Sequence, residues 1–208
     1  MEFERIQPKW KVRKAGIEAE FEKNPKLLEA RLIEELKSSD SEIAANAAES
    51  MGWLRLDFAI SDLVSLLSHA DEWLRDRASF ALGRMPRSAG PYLAEHAPSL
   101  QGSAYEHAVK AFVRMKLAAV PILMKMFTSS NFQARALAHK ALCQIKFPLE
   151  ELSPALSHSD TKIRVLAIDI LGKSRDEKAV SLLAELDCSF SGGKQKQAVA
   201  MARLARHY

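Results

Sequence analysis

Small and apolar residues recur at i, i+4, i+7 and i+8 along this chain, as in Ile43, Ala47, Ser50 and Met51 and again in Ile163, Ala167, Ile170 and Leu171. That spacing places one face of a helix against a core and leaves the opposite face in water. Four segments, IAANAAESMGW (43–53), LRDRASFALGR (74–84), ARALAHKALCQ (134–144) and IRVLAIDILGK (163–173), superpose without gaps, and AYEHAVKAFVR (104–114) and KQKQAVAMARL (194–204) fit the same frame. Their anchor alanines, Ala47, Ala78, Ala108, Ala138, Ala167 and Ala198, follow one another at separations of 31, 30, 30, 29 and 31. A period of that length decides the architecture, because each copy is one supersecondary unit that buries its apolar face only against its neighbours.

Seven residues before the anchors stand Asp40, Asp71, Gln101, Asn131, Asp160 and Ser191. All but Gln101 carry a side-chain oxygen that accepts hydrogen bonds from the free amides of a first helical turn, so they predict helix starts. Ahead of the caps lie further apolar stretches, including Leu27 to Leu36, Ile60 to Leu67, Val120 to Phe127 and Val180 to Leu186, which predict a partner helix. No alternating β-branched run suggests a sheet. The expected fold is all-α: a right-handed α-solenoid of about six helical hairpins, at 25–57, 58–88, 89–116, 117–147, 148–175 and 176–208. Residues 1–24, with Trp10, Val12, Ile17 and Phe21 ahead of Pro25, predict an N-terminal capping helix over the open end of a repeat domain at 25–208.

Ala119-Val120-Pro121-Ile122-Leu123, Ala179-Val180-Ser181-Leu182-Leu183 and the Ala-Leu-Gly or Ile-Leu-Gly endings carry a resemblance over about residues 26–206. The chain resembles the short HEAT-like repeats of the phycobilin-lyase type. Gly52, Gly83 and Gly172 match the close-packing glycine of that pattern, while Val113, Cys143 and Arg203 depart from it, which implies less regular repeats three, four and six. The pattern is structural and implies no particular activity. In such repeats, Arg75, Arg135 and Arg164, with Asp71 and Asp160, are implied to form ladders between successive units.

Composition fits a folded globular chain: 208 residues, 48% hydrophobic, with eight glycines and eight prolines. Two cysteines, Cys143 and Cys188, supply no disulfide framework, which points to a reducing, cytoplasmic setting. The charged start and a longest apolar run of eight residues, Leu117 to Met124, predict neither signal peptide nor membrane span. Charge is lopsided: the first 72 residues hold 15 acidic and 10 basic side chains, whereas the rest hold 11 and 20. Between His107 and Leu149 there is no Asp or Glu, so a positive potential gathers mid-chain.

Positions −1, +2 and +6 from each anchor share one stripe of the second helix, expected to line the concave side of the solenoid. The stripe collects Asn46, Glu49 and Trp53, then Arg77, Phe80 and Arg84, then His107, Lys110 and Arg114, and it continues through Leu137, Lys140 and Gln144 to Leu166, Asp169 and Lys173. From it Trp53, Arg77, Phe80, Arg84, His107, Lys110, Arg114, Lys140 and Lys173 are the candidate binding residues, aromatic groups as anchors and cations as steering and pairing charges. The expected function is a non-catalytic scaffold or adaptor that binds an acidic protein surface on a basic concave face. Two alternatives stay open: a nucleic-acid binder, by analogy with DNA-repair HEAT-like solenoids, and a bilin lyase or chromophore chaperone, implied by the repeat type. Oligomeric state is left undecided.

Chemistry is sparse. His139 and Cys143 lie one helical turn apart, but two ligands are not a metal site, so neither metal nor cofactor is expected. His69 and His158 recur in Leu-Ser-His-x-Asp turns, as repeat inheritance dictates. Ser191-Gly192-Gly193-Lys194 lacks the remainder of a phosphate-binding loop and reads as a flexible turn. Trp73, in a turn between helices, is either packed or an interaction anchor.

Overall fold

The computed structural model describes residues 9–174, 176–186 and 192–205. All regular structure among them is helical. An N-terminal helix α1 (Lys9–Lys23) precedes six pairs: α2 (Pro25–Leu36) with α3 (Ser41–Leu54), α4 (Ile60–Leu66) with α5 (Glu72–Gly83), α6 (Pro86–His96) with α7 (Gly102–Met115), α8 (Val120–Phe127) with α9 (Phe132–Leu142), α10 (Ser153–Leu156) with α11 (Thr161–Lys173), and α12 (Lys178–Glu185) with α13 (Gly193–Leu204). This is the α-solenoid class, built of helical hairpins. The fifth pair has the shortest first helix, because Pro148 and Pro154 leave room only for a 3-10 turn at Leu149–Leu152 and a single α-turn. The chain forms two compact units: one from the residues up to Ala89 with Gly102–Ala111, the other from Gly90–Gln101 with the residues from Phe112 onward.

Local chemistry sets the helix starts. Asp40 accepts from the amides of Glu42 and Ile43, Asp71 from Trp73 and Leu74, Asn131 from Ala134, and Asp160 from Lys162, each with a contact of 2.8 Å. Gln101 makes no such bond, and Ser191 lies outside the described residues. The repeated turn histidines work beside the caps: Nδ1 of His69 accepts from the Asp71 amide at 3.1 Å, and Nδ1 of His158 from Asp160 at 3.0 Å. Arg75, Arg135 and Arg164 clamp the same turns. In each, Nη1 donates to two successive carbonyls: of His69 and Ala70, of Ser129 and Ser130, and of His158 and Ser159. These bonds lie within one turn, where the resemblance implied pairs between successive units.

Stacking of second helices builds each core. In unit one α3 packs on α5, and in unit two α11 packs on both α9 and α13. Ala47, Ala78, Ala108, Ala138 and Ala167 have no exposed surface, since small side chains allow the close approach. The glycines bring the helices closer still. A Cβ on Gly52 would lie 2.5 Å from Ala81 Cα, and one on Gly172 would lie 2.7 Å from Ala200 Cα.

The sixth copy corrects the sequence frame. Ala198 is exposed, whereas Ala200 and Leu204 are buried, so the frame is shifted by one and Gln197 takes the anchor place. Its amide Nε2 donates to the carbonyls of Leu183 and, at 3.3 Å, Leu186, hydrogen bonds that alanine could not make.

Candidate functional site

Unit one holds a groove of about 810 Å³ formed by α1 and the faces of α3 and α5. Its floor is a carboxylate between two guanidinium groups. Glu49, 7% exposed, receives Arg13 Nη2 on Oε2 and Arg77 Nη1 on Oε1, the latter at 3.0 Å, while Arg13 Nη1 donates to Asn46 Oδ1. Charge-assisted bonds of this kind fix both the carboxylate and the arginines that hold it. Burial and the neighbouring Arg77 cation pull the Arg13 pKa below its usual value.

Each arginine of the groove lies over an aromatic ring: Arg13 over Trp53 at 4.9 Å from guanidinium carbon to ring centre, Arg77 over Trp73 at 5.7 Å, and Arg84 over Phe80 at 5.9 Å. These separations fall within cation–π reach. Trp53 is buried, so it serves as a platform, while Trp73 at 45% exposed and Trp10 at 52% present ring surface to solvent. The Nε atoms of Arg13, Arg77 and Arg84 are buried and have no hydrogen-bond partner. Five cationic side chains and two carboxylates line the groove, which gives it a positive balance and unspent donors.

Four of the sequence candidates, Trp53, Arg77, Phe80 and Arg84, meet in this groove. Arg13, Glu49 and Trp73 complete it without having been selected. Counting within repeats could not place Arg13, since α1 lies outside the period. The approach of Arg77 to Glu49 spans 28 residues, close to one period, and that spacing was available in the sequence.

The other candidates stand elsewhere. His107 is buried at 4% exposure; its Nδ1–H donates to the Ser103 carbonyl at 2.9 Å, which leaves Nε2 as acceptor for Lys110 Nζ at 3.3 Å. Lys110 also approaches Asp76 at 3.9 Å. Arg114, Lys140 and Lys173 belong to unit two. There Lys173 pairs with Asp169 at 2.6 Å, and Asp169 further receives His139 Nε2 at 2.9 Å and Arg203 at 2.8 Å. The hydrogen bond from His139, helped by Lys173 and Arg203, holds the Asp169 carboxyl far below the usual range in spite of burial. Burial pulls the His139 imidazole down, but its bonds to Asp169 and to the Cys143 sulfur overcome that and push it up to about 9.

Comparison with known sequences bears on unit two first. Residues 120–189 match the family of HEAT repeats. That stretch carries HEAT repeats. No curated protein sequence matches it significantly. Solved structures similar to this chain include the archaeal HEAT-like repeats protein from Thermococcus onnurineus, 12% identical over 94% of this chain and 93% of that one, with a TM-score of 0.42. Another is the complex of CpcE and CpcF of phycocyanin lyase from Nostoc sp., 18% identical over 97% and 84%, with a TM-score of 0.39. A designed armadillo repeat protein in complex with the peptide (KR)4 is 14% identical over 84% and 98%, with a TM-score of 0.37. Among the described residues, no helix is long and apolar enough to cross a membrane.

Proposed function

We propose that this chain is a non-catalytic adaptor that captures an acidic segment of another protein, with Trp53, Arg77, Phe80 and Arg84 at the centre of the interface. The observation that carries the reading is the layered groove of unit one, where three guanidinium groups lie on three aromatic rings and cationic side chains outnumber carboxylates. A carboxylate-bearing chain offsets that excess of positive charge, and exposed Trp73 offers the flat apolar surface that interfaces use as an anchor. Lys110, Arg114, Lys140 and Lys173, on the stripe expected to form a basic concave wall, act at range as steering charges and need share no pocket with the groove. The reading includes a cytoplasmic setting, no organic cofactor, and the short phycobilin-lyase type of repeat over 25–208 behind a cap at 1–24, supported by the repeat spacing and the glycine endings.

The test is a titration of the full chain with an Asp/Glu-rich peptide, followed by tryptophan fluorescence, in parallel with a duplex DNA of equal charge. Peptide binding is expected to change the emission. Trp73→Ala is expected to weaken it by about 30-fold, the scale of an anchor worth about 2 kcal/mol. Arg84→Glu should weaken it further in low salt. If the peptide leaves the emission unchanged, or if neither substitution alters its affinity, the reading is wrong. Tighter capture of the duplex, with a log–log salt slope of about −0.9 per phosphate neutralised, would replace it by nucleic-acid binding.

A further inference from the structure

Three ligand-type atoms converge in unit two. His139 and Cys143 lie one turn apart at the end of α9, and Asp169 faces them from α11; the imidazole nitrogen, the sulfur and a carboxylate oxygen all lie within 4.8 Å of one another. Nε2 of His139 stands 3.6 Å from Cys143 Sγ and 2.9 Å from Asp169 Oδ2. A nucleophile–base–acid triad is not what this geometry provides, because a triad uses the two imidazole nitrogens for different partners. Here both partners address the same nitrogen. Three donors around a single point is the arrangement a metal ion imposes.

The distances support that reading. Zinc ligands at about 2.05 Å for nitrogen and about 2.3 Å for sulfur, set at a tetrahedral angle, hold those atoms about 3.6 Å apart. The nitrogen and the carboxylate oxygen would have to open from 2.9 Å to about 3.4 Å, a movement that rotation of the Asp169 carboxylate supplies, and the Lys173 ammonium, now 2.6 Å from the same Oδ2, would have to swing away from the ion. The ion would then sit where a proton now bridges Nε2 and Oδ2. Outer contacts hold the ligands in place: Arg203 donates to Asp169 Oδ1 at 2.8 Å, and the ring of Phe127, fully buried, stacks on the imidazole at 6.4 Å between centres. Such contacts orient ligands for metal. Cys143 lines a cleft of about 760 Å³ that His139 and Asp169 do not line, so solvent reaches the cluster from the sulfur side.

We propose that His139, Cys143 and Asp169 form a three-ligand site for zinc or a similar borderline divalent cation, reached by solvent from the cleft beside Cys143. One imidazole, one thiolate and one carboxylate suit zinc or cobalt and do not suit magnesium or calcium, which take oxygen ligands alone. The two anionic ligands neutralise a divalent ion, which leaves the local charge to Lys173 and Arg203.

The experiment titrates Co²⁺ and then Zn²⁺ into the chelator-stripped full chain. Expected are one equivalent of Co²⁺, a thiolate-to-cobalt charge-transfer band in the near ultraviolet with visible bands of tetrahedral strength, and loss of all of them when Zn²⁺ displaces the cobalt. Cys143→Ala should abolish the charge-transfer band, while Cys188→Ser, which removes the only other thiol, should leave it intact. Asp169→Asn should lower Zn²⁺ affinity by at least the about 10–100-fold that outer contacts alone command. Circular dichroism of the Cys143→Ala protein reports whether the fold persists. No charge-transfer band with the unaltered chain, a band that survives Cys143→Ala, or a band lost in Cys188→Ser would each overturn the assignment; unchanged zinc affinity in Asp169→Asn would remove its third ligand.

Discussion

Gly52→Ala isolates the contact that spaces the second helices of unit one. The added methyl carbon would stand 2.5 Å from Ala81 Cα and 2.8 Å from Ala81 Cβ, whereas carbon atoms rest at about 3.5–4.0 Å. The first of those neighbours is backbone, so no rotamer relieves the clash and α3 must move away from α5 by about 1 Å. Overpacking of this kind costs about 1–3 kcal/mol, and the better helix propensity of alanine returns about 1 kcal/mol, so the net loss is up to about 2 kcal/mol. Gly16 in α1 is the control: nothing lies within 4 Å of its built Cβ, and only the propensity gain of about 1 kcal/mol applies. Urea unfolding followed by circular dichroism should therefore move the midpoint down for Gly52→Ala and up, or not at all, for Gly16→Ala. A Gly52→Ala protein stabilised as much as Gly16→Ala would refute the argument, since it would mean that the α3–α5 interface has slack.

Gly172→Ala repeats the test in unit two, where the methyl would meet Ala200 Cβ at 2.6 Å; unfolding should again shift to lower urea. Asp160→Ala should cost about 0.5–2 kcal/mol through the lost cap on α11, whereas Gln101→Ala, at a position that makes no side-chain cap bond, should change the urea midpoint little. The pH profile depends on the His139–Asp169 pair, whose two shifts describe one interaction. His139 is raised from 6.5 to about 9 on folding, so its contribution is fully present below about pH 6.5 and is lost as pH rises through about 9. Asp169 is lowered, so its contribution holds above the ordinary carboxylate range and disappears only in strong acid. In chelator-containing buffer the urea midpoint should fall from pH 6.5 to 9, and His139→Gln should flatten that limb; an alkaline limb unchanged by the substitution would refute the assignment.

Much of the fold was legible because each repeat writes its rules locally. Asp40, Asp71, Asn131 and Asp160 cap helices through amides two or three residues away, and Gly52 and Gly172 mark close approach by lacking a side chain. The sixth repeat misled because Ala198 satisfies the pattern by composition, while the hydrogen bonds of Gln197 decide which face turns inward. The site was harder. Trp53 and His107 share the stripe with exposed cations, yet their size and partners bury them, and stripe geometry alone does not see depth. Arg13 enters from a helix with no place in the period. Asp169 completes the ligand cluster from 30 residues beyond His139, and reading the residues one period apart as neighbours is the rule that would have found it.

The turn clamps have a consequence for how such a chain changes length. Because Arg75, Arg135 and Arg164 satisfy carbonyls of their own turn, and the caps and histidines beside them do the same, a hairpin carries its own wiring. A duplication or deletion of one hairpin leaves those polar bonds intact and has the small-residue seam and the few pairs that cross it, such as Arg77 with Glu49, to re-form. The gene can therefore gain or shed hairpins in single steps, and the groove and the ligand cluster, each built within its own unit, can diverge independently.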